Sequence, residues 1–370
     1  MSTTNHLAPG RRALLRTGAA LAAAIPAGAL AGHAWAQGKA PTKVLDFATF
    51  ADMDKVGQEG AFVFYGQESE TGTAAIANAF GKDFPMIRTS YVRAQTGALY
   101  SKILSERSAG RYVCDAIQLS DIAPAVDFQK RGGYEPYIST QVDAYRPEHL
   151  SDPVGNFFWA GVTFAGLAYN KSRVKPEDAP KTWKDLLNPA WRNAMSIKTV
   201  TSGLQSVQWY ELRKLYGDSY WKAFASQRPR GFDSHTQLFD RLAKGDDKVC
   251  ALAEYLVYML YKDKAPDIVW VTTEDGLPGT AMFLGAVSHA PHPECAKLFM
   301  DWVMSLRGQK FYQNEPDLAY GSVRTDAPAM PSGLRLNDFK LLIPAGTNDI
   351  NDYLASHDAF TREWNAMLGL

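Results

Sequence analysis

Thr201-Ser202-Gly203 is the strongest local sign of chemistry in this 370-residue chain. Two hydroxyls and a glycine stand directly before a strong helical pattern over residues 204–216. A helix start built this way presents O–H and unpaired backbone N–H donors to an anionic oxygen. The same residues also make an ordinary N-cap, worth about 1 kcal/mol and needing no ligand. Gly66-Gln67-Glu68 follows a short apolar, aromatic run. Gln67 offers donors and an acceptor, and Glu68 a carboxylate suited to a cation, although solvated loop polars would look alike. Thr96-Gly97 and Ser120 stand at equivalent strand-to-helix junctions, where caps and turns compete with binding as their use; Arg93 is either an anion partner or a surface charge. His289 and His292 precede a long helical pattern and read as a capped surface turn rather than as metal ligands. Cys114, Cys250 and Cys295 lie far apart without metal-ligand spacing. Cys114 and Cys250 fall in apolar runs, as buried free thiols do, with one disulfide the alternative. The chain has no G-x-S-x-G, H-E-x-x-H, P-loop or G-x-G-x-x-G, so neither catalysis nor a cofactor is expected.

Positioning these residues falls to alternating strand-like and helix-like segments, the pattern of an α/β protein with mostly parallel sheets. Residues 61–65 read as strand and 73–80 as helix; 86–92 as strand and 98–108 as helix, with Leu99, Ile103 and Leu104 on one face; 113–119 as a third strand. The apolar run 157–169 is longer than the usual strand and suits a segment crossing from one lobe to another. Beyond it, 183–187 opens a short helix, 195–200 is strand-like, 236–243 helical, and 248–253 and 268–272 strand-like, with 278–288 suited to a return crossing. Residues 293–313 read as one amphipathic helix, with Ala296, Phe299, Met300, Val303 and Phe311 inward. The remainder is mixed and is expected to pack on both lobes.

Residues 1–36 read as an export signal. Arg11-Arg12 precedes Ala13-Leu14-Leu15-Arg16 and an Ala/Gly-rich run to Gly32; Ala34-Trp35-Ala36 supplies a small-x-small cleavage pattern, with the mature start at Gln37. The paired arginines resemble a twin-arginine signal, and a Sec signal is the alternative. The run is short, contains Pro26 and falls below the roughly 20 apolar residues that span a bilayer, so a soluble periplasmic product is expected. Three of the 39 Lys and Arg and none of the 39 Asp and Glu lie in this segment, so the remainder has three more acids than bases and no block of like charge. That argues against nucleic acid or anionic lipid as partner. About 330 residues suit two lobes of ordinary domain size.

Several segments together resemble the periplasmic solute-binding proteins of ABC importers, in the branch that includes ferric-iron-binding proteins. They are Val63-Phe64-Tyr65-Gly66, Leu167-Ala168-Tyr169-Asn170-Lys171, Thr182-Trp183-Lys184-Asp185-Leu186-Leu187-Asn188-Pro189-Ala190-Trp191-Arg192, His292-Pro293-Glu294-Cys295-Ala296, Ser305-Leu306-Arg307-Gly308-Gln309 and Gly321-Ser322-Val323-Arg324-Thr325-Asp326. The resemblance implies an α/β fold of the type II periplasmic-binding-protein kind: two lobes, two crossovers, and a ligand cleft that closes about a hinge. Expected boundaries are 1–36 for the signal, 37–160 with 282–370 for lobe 1, and 161–281 for lobe 2. It implies a ligand contact at Gln67-Glu68 and an anion-binding turn at Thr201-Ser202-Gly203. In Ala251-Leu252-Ala253-Glu254-Tyr255-Leu256-Val257-Tyr258, Leu256-Val257 stands where ferric-binding relatives carry adjacent iron-ligating tyrosines. Tyr255 and Tyr258, three apart on a helix, are more often packing residues. The resemblance therefore implies no metal but a small organic anion or zwitterion, held by Ser202-Gly203, Glu254 and aromatic walls from Trp209, Tyr210 or Tyr255, and delivered to an inner-membrane permease by a monomeric binding subunit. A ferric chelate is the alternative ligand, and a sensor subunit for a membrane receptor the alternative role.

Overall fold

A computed structural model describes residues 40–200 and 203–369; the expected signal and two residues of the expected anion turn, Thr201 and Ser202, lie outside the described residues. A small hairpin, β1 (Thr42–Val44) and β2 (Phe47–Thr49), leads into α1 (Met53–Glu59). Three strand–helix units follow: β3 (Ala61–Gly66) with α2 (Glu70–Asp83), β4 (Arg88–Arg93) with α3 (Thr96–Ser108), and β5 (Ala116–Leu119) with α4 (Ile122–Lys130). The long β6 (Phe158–Asn170) precedes three more: β7 (Met195–Lys198) with α5 (Gly203–Ala225), β8 (Arg230–Phe232) with α6 (His235–Lys244), and β9 (Val249–Glu254) with α7 (Tyr255–Tyr261). After β10 (Ile268–Val271) and β11 (Leu277–Ala286) come α8 (Pro293–Met304), α9 (Leu306–Asn314), β12 (Leu341–Leu342) and α10 (Gly346–Leu368). Among the described residues no helix is long and apolar enough to cross a membrane.

The strand order β4-β3-β5-β11-β6-β9-β7-β8 joins two halves through β6 and β11. β3, β4 and β5 are mutually parallel, as are β7, β8 and β9. β6 pairs with β11 up to Phe164, then with β9 from Ala165. Every residue of β6 is buried, which explains why its sequence is an unbroken apolar run rather than an alternation. β11 is antiparallel to both β5 and β6, so the first trio runs in the same sense as β6; β9 is antiparallel to β6, so the second trio runs against it. The carboxyl ends of both trios therefore point at each other across the junction, and the helices that follow begin there.

Each half has its own core. Phe62, Phe64, Phe80, Phe299 and Trp302 centre the first. Trp183, Trp209, Trp221 and Trp364 centre the second. The C-terminal α10 serves both, placing Tyr353 in the first and Phe360, Trp364 and Leu368 in the second. Two helices differ from the sequence reading. The expected helix over 293–313 breaks at Ser305, whose backbone is extended and whose Oγ accepts the Gly308 N–H at 3.2 Å, starting α9 anew. The expected 204–216 helix continues as α5 to Ala225, but with a kink at Gly217, whose φ of 70° only glycine adopts readily. All three cysteines are buried and free.

Candidate functional site

Three junctions in the first half converge on one cleft of about 830 Å³. Gln67 follows β3, Thr96 and Gly97 open α3, and Ser120 follows β5; Leu204, in the first turn of α5, contributes from the other half. Thr280 of β11 ties that turn down, its Oγ1 donating to the Leu204 carbonyl at 3.2 Å. Gly203, where α5 begins, is thus beside the cleft. Ser69 caps α2 and Asp121 caps α4, but no side chain caps α3, so the amides of its first turn are open to the cleft. Thr96 Oγ1 and Ser120 Oγ lie 2.9 Å apart, and the Ser120 N–H also donates to Thr96 Oγ1. The two carboxylates on this wall are engaged locally: Asp121 accepts the Ala123 N–H at 3.0 Å, and Asp127 accepts from Tyr100 and from Arg131.

Beneath Gln67, the Glu68 side chain is 5% exposed. Its Oε1 accepts from Gln67 Nε2 at 2.8 Å, from Tyr320 Oη at 3.3 Å and from Gln118 Nε2, while Oε2 is buried without a partner. Gln118 Oε1 accepts in turn from Tyr312 Oη at 3.2 Å. Burial raises the Glu68 pKa although its hydrogen bonds pull the other way. Arg93 donates through Nε to the Glu68 carbonyl at 2.7 Å, so it braces this turn. Tyr320 closes over Gly161 of β6, where a Cβ would lie 2.8 Å from that of Tyr320.

The second half mirrors this with Glu254, which ends β9. Its Oε2 accepts from Thr163 Oγ1 at 2.9 Å and its Oε1 from Gln208 Nε2 at 2.7 Å. Burial pushes its pKa up to about 7, against the lowering effect of those donors and of the Lys198 charge. Burial pulls the pKa of Lys198, at the end of β7, downward despite Asp233 and Glu254. His235, opening α6, is pushed down to about 3 by burial and by Lys198, so its ring is neutral near pH 7. Thr163 pairs with Thr280 and Gly161 with Met282, and paired residues share a face. Glu254 reaches Thr163, and Gln67 Nε2 reaches Met282 Sδ at 3.1 Å. Both acidic clusters thus abut the same face of the β6–β11 pair, from opposite halves.

Gln67, Thr96, Gly97 and Ser120 are therefore gathered around one cleft, with Glu68 behind Gln67 and Glu254 across the junction. Tyr255 is 2% exposed, stacked on Phe164 with centroids 4.9 Å apart, and Tyr258 stacks on Trp270. Trp209, expected as a wall, is instead in the second core with its Nε1 on the Lys198 carbonyl at 2.8 Å; its helical spacing cannot distinguish a core face from a cleft face. His292 stands at the start of α8, whose first amides donate to Glu59, and bonds Asp115 at 2.9 Å through Nδ1, a structural turn. Gln118, Thr163, Lys198, Gln208, Tyr312 and Tyr320 were not singled out in the sequence. Gln118 and Thr163 carry one available signal, a lone polar residue inside an apolar strand run; the two tyrosines carry none.

The family model for bacterial extracellular solute-binding proteins matches residues 124–336. The chain belongs to this family. Among relatives of this solute-binding protein, an uncharacterised protein of Haemophilus influenzae is 22% identical over 310 residues, covering 80% of this chain and 87% of the other. The solved periplasmic binding protein AfuA from Actinobacillus pleuropneumoniae, with fructose-6-phosphate bound, is similar at a TM-score of 0.64 and 21% identity, over 84% of this chain and 99% of that one. Iron-bound HitA from Pseudomonas aeruginosa is similar at a TM-score of 0.67 and 17% identity, over 82% and 99%. At such identities the likeness speaks to the fold, which is that of the two-lobed type II periplasmic binding proteins.

Proposed function

We propose that this solute-binding protein is the periplasmic substrate-binding subunit of an ABC importer, and that it takes a small polar or anionic solute into the cleft lined by Gln67, Thr96, Gly97 and Ser120. The observation that carries this reading is the convergence of uncapped α3, the Thr96–Ser120 hydroxyl pair and the first turn of α5 on one cleft. Hydroxyls and helix-start N–H groups are donors, and the positive ends of helix dipoles favour negative charge. Thr201 and Ser202, which directly precede Gly203 in the sequence, are the further hydroxyl donors this reading calls for. The two halves act as lobes that close about β6 and β11, and the closed form is the one presented to a membrane permease. Closure needs a ligand that contacts both lobes, because only a difference in affinity between open and closed forms shifts their balance. Moving that balance from 1:99 to 99:1 takes about 5.5 kcal/mol, within reach of several bridging hydrogen bonds. A sugar phosphate in AfuA and iron in HitA mark two ligand classes for this fold. The anion is favoured here because the Tyr255 ring is stacked on Phe164 with its hydroxyl enclosed, leaving amides and hydroxyls as the cleft's ready partners.

Native mass spectrometry with metal analysis, on protein released from periplasm without chelators, tests this reading. An organic adduct of a few hundred daltons that is lost on denaturation is the expected result. Stoichiometric iron overturns the anion assignment.

A further inference from the structure

Gln67 meets the cleft with one end of its amide only, and the residues behind it decide which end. Its Nε2 is 2.8 Å from Glu68 Oε1 and 3.1 Å from Met282 Sδ, both acceptors. The polarity is set from further back. Tyr312 donates to Gln118 Oε1, which turns the Gln118 amino group onto Glu68 Oε1, and Tyr320 donates to the same oxygen. A carboxylate oxygen that already receives two donors cannot face the Gln67 carbonyl without repulsion, so the amino group is held inward. Gln67 Oε1 makes no hydrogen bond among the described residues and is not enclosed, while the side chain lines the cleft. We propose that Glu68 is a positioning residue that fixes Gln67 as a hydrogen-bond acceptor toward the cleft, so that the solute must carry a hydroxyl or ammonium donor as well as its anionic group.

Other residues lining the cleft have the complementary polarity. Whichever hydroxyl of the Thr96–Ser120 pair donates to the other, one O–H is left over, and it joins the open amides at the start of α3. An acceptor at Gln67 and donors at Thr96, Ser120 and α3 describe a bifunctional ligand, an anion with a donor on a short arm. A solute with the same anionic group and a methyl in place of the donor would leave Gln67 Oε1 desolvated and unpaired, the arrangement that discriminates most strongly in binding sites. Glu68 itself touches no ligand in this scheme: its only outlet is the orientation of its neighbour.

This inference rests on the anion reading above, and the experiment separates the two. Calorimetric titration of the purified protein with 2-aminoethylphosphonate, 2-hydroxyethylphosphonate and propylphosphonate compares ammonium, hydroxyl and methyl on one anionic frame. At least one donor-bearing compound is expected to bind ten-fold or more tighter than propylphosphonate. Glu68→Met, which removes the acceptor at similar size, and independently Gln67→Met, should each reduce that ratio to about three-fold or less, mainly by weakening the donor-bearing compound. Equal affinity across the set in the wild-type protein, or an unchanged ratio in either variant, overturns the proposal. Failure of all three to bind overturns the anion reading and the donor requirement with it. The ¹⁵N-resolved side-chain amide of Gln67 then reports orientation without any ligand: protons slow to exchange, and shifted by Glu68→Met, uphold the positioning role, and free exchange refutes it.

Discussion

Burial lifts the Glu254 carboxyl from an ordinary pKa of 4.5 to about 7, and the consequence for stability has a definite sign. Between these values the unfolded chain has released a proton that the folded chain keeps, so stability falls as pH rises from about 4.5 to about 7 and levels off on either side. The contribution is at most on the order of 3 kcal/mol. Urea unfolding at pH 5 and pH 7.5 should show a larger loss in the wild-type protein than in Glu254→Gln, which cannot titrate there; identical losses would mean that the carboxyl ionises normally. Residues of this kind divide by how far their partners lie along the chain. Gln67, Thr96 and Ser120 were legible because a strand end, a glycine or a helix start lies within a few positions of each. Glu68 was legible as a residue but not in its environment, since it is enclosed by Gln118, 50 positions away, and Tyr320, 252 away. Thr163 and Gln208 meet Glu254 across 91 and 46 positions, and no local pattern records such a meeting.

At the scale of elements, apolar patterning located most strands and helices, the wholly buried β6 among them, and gave no bounds for those whose burial comes from scattered, distant partners. α7 is short and its aromatic residues face several neighbours at once, so it gave no clean helical period. The division between α8 and α9 hides in a continuous apolar pattern because Ser305 both ends one helix and caps the next. α10 is the least legible and carries a large share of the packing. Trp364 is fully buried, 5.1 Å centroid to centroid from both Trp209 and Trp221, and Phe360 stacks on it. Trp364→Ala should lower stability by about 3–5 kcal/mol, the usual cost of emptying a site of that size. Denaturant unfolding followed by far-ultraviolet circular dichroism checks this, and a loss below about 1 kcal/mol would show that α10 is not integral to the second core.

For the molecule as a whole, the alternating sequence pattern and the two long apolar runs sufficed to read a two-lobed α/β protein with two crossings. What they could not supply is the sense of the strands, which turns both sets of carboxyl ends toward the junction of the halves; that follows only from the antiparallel pairing of β11 with β5 and of β6 with β9 and β11. Because β6 and α10 each belong to both halves, the halves are not independent folding units. Differential scanning calorimetry should record one transition with equal calorimetric and van't Hoff enthalpies. Two resolved transitions would mean that the shared strand and helix couple the halves weakly. The same helix governs the order of events during synthesis. A ribosome that has finished β11 has made nearly all the strands of both sheets, yet the faces of Trp209, Trp221 and Tyr210 that α10 covers stay open until that helix is made and docks. A chain in which α10 has not yet docked therefore presents an aromatic surface of the kind that invites chaperones or aggregation.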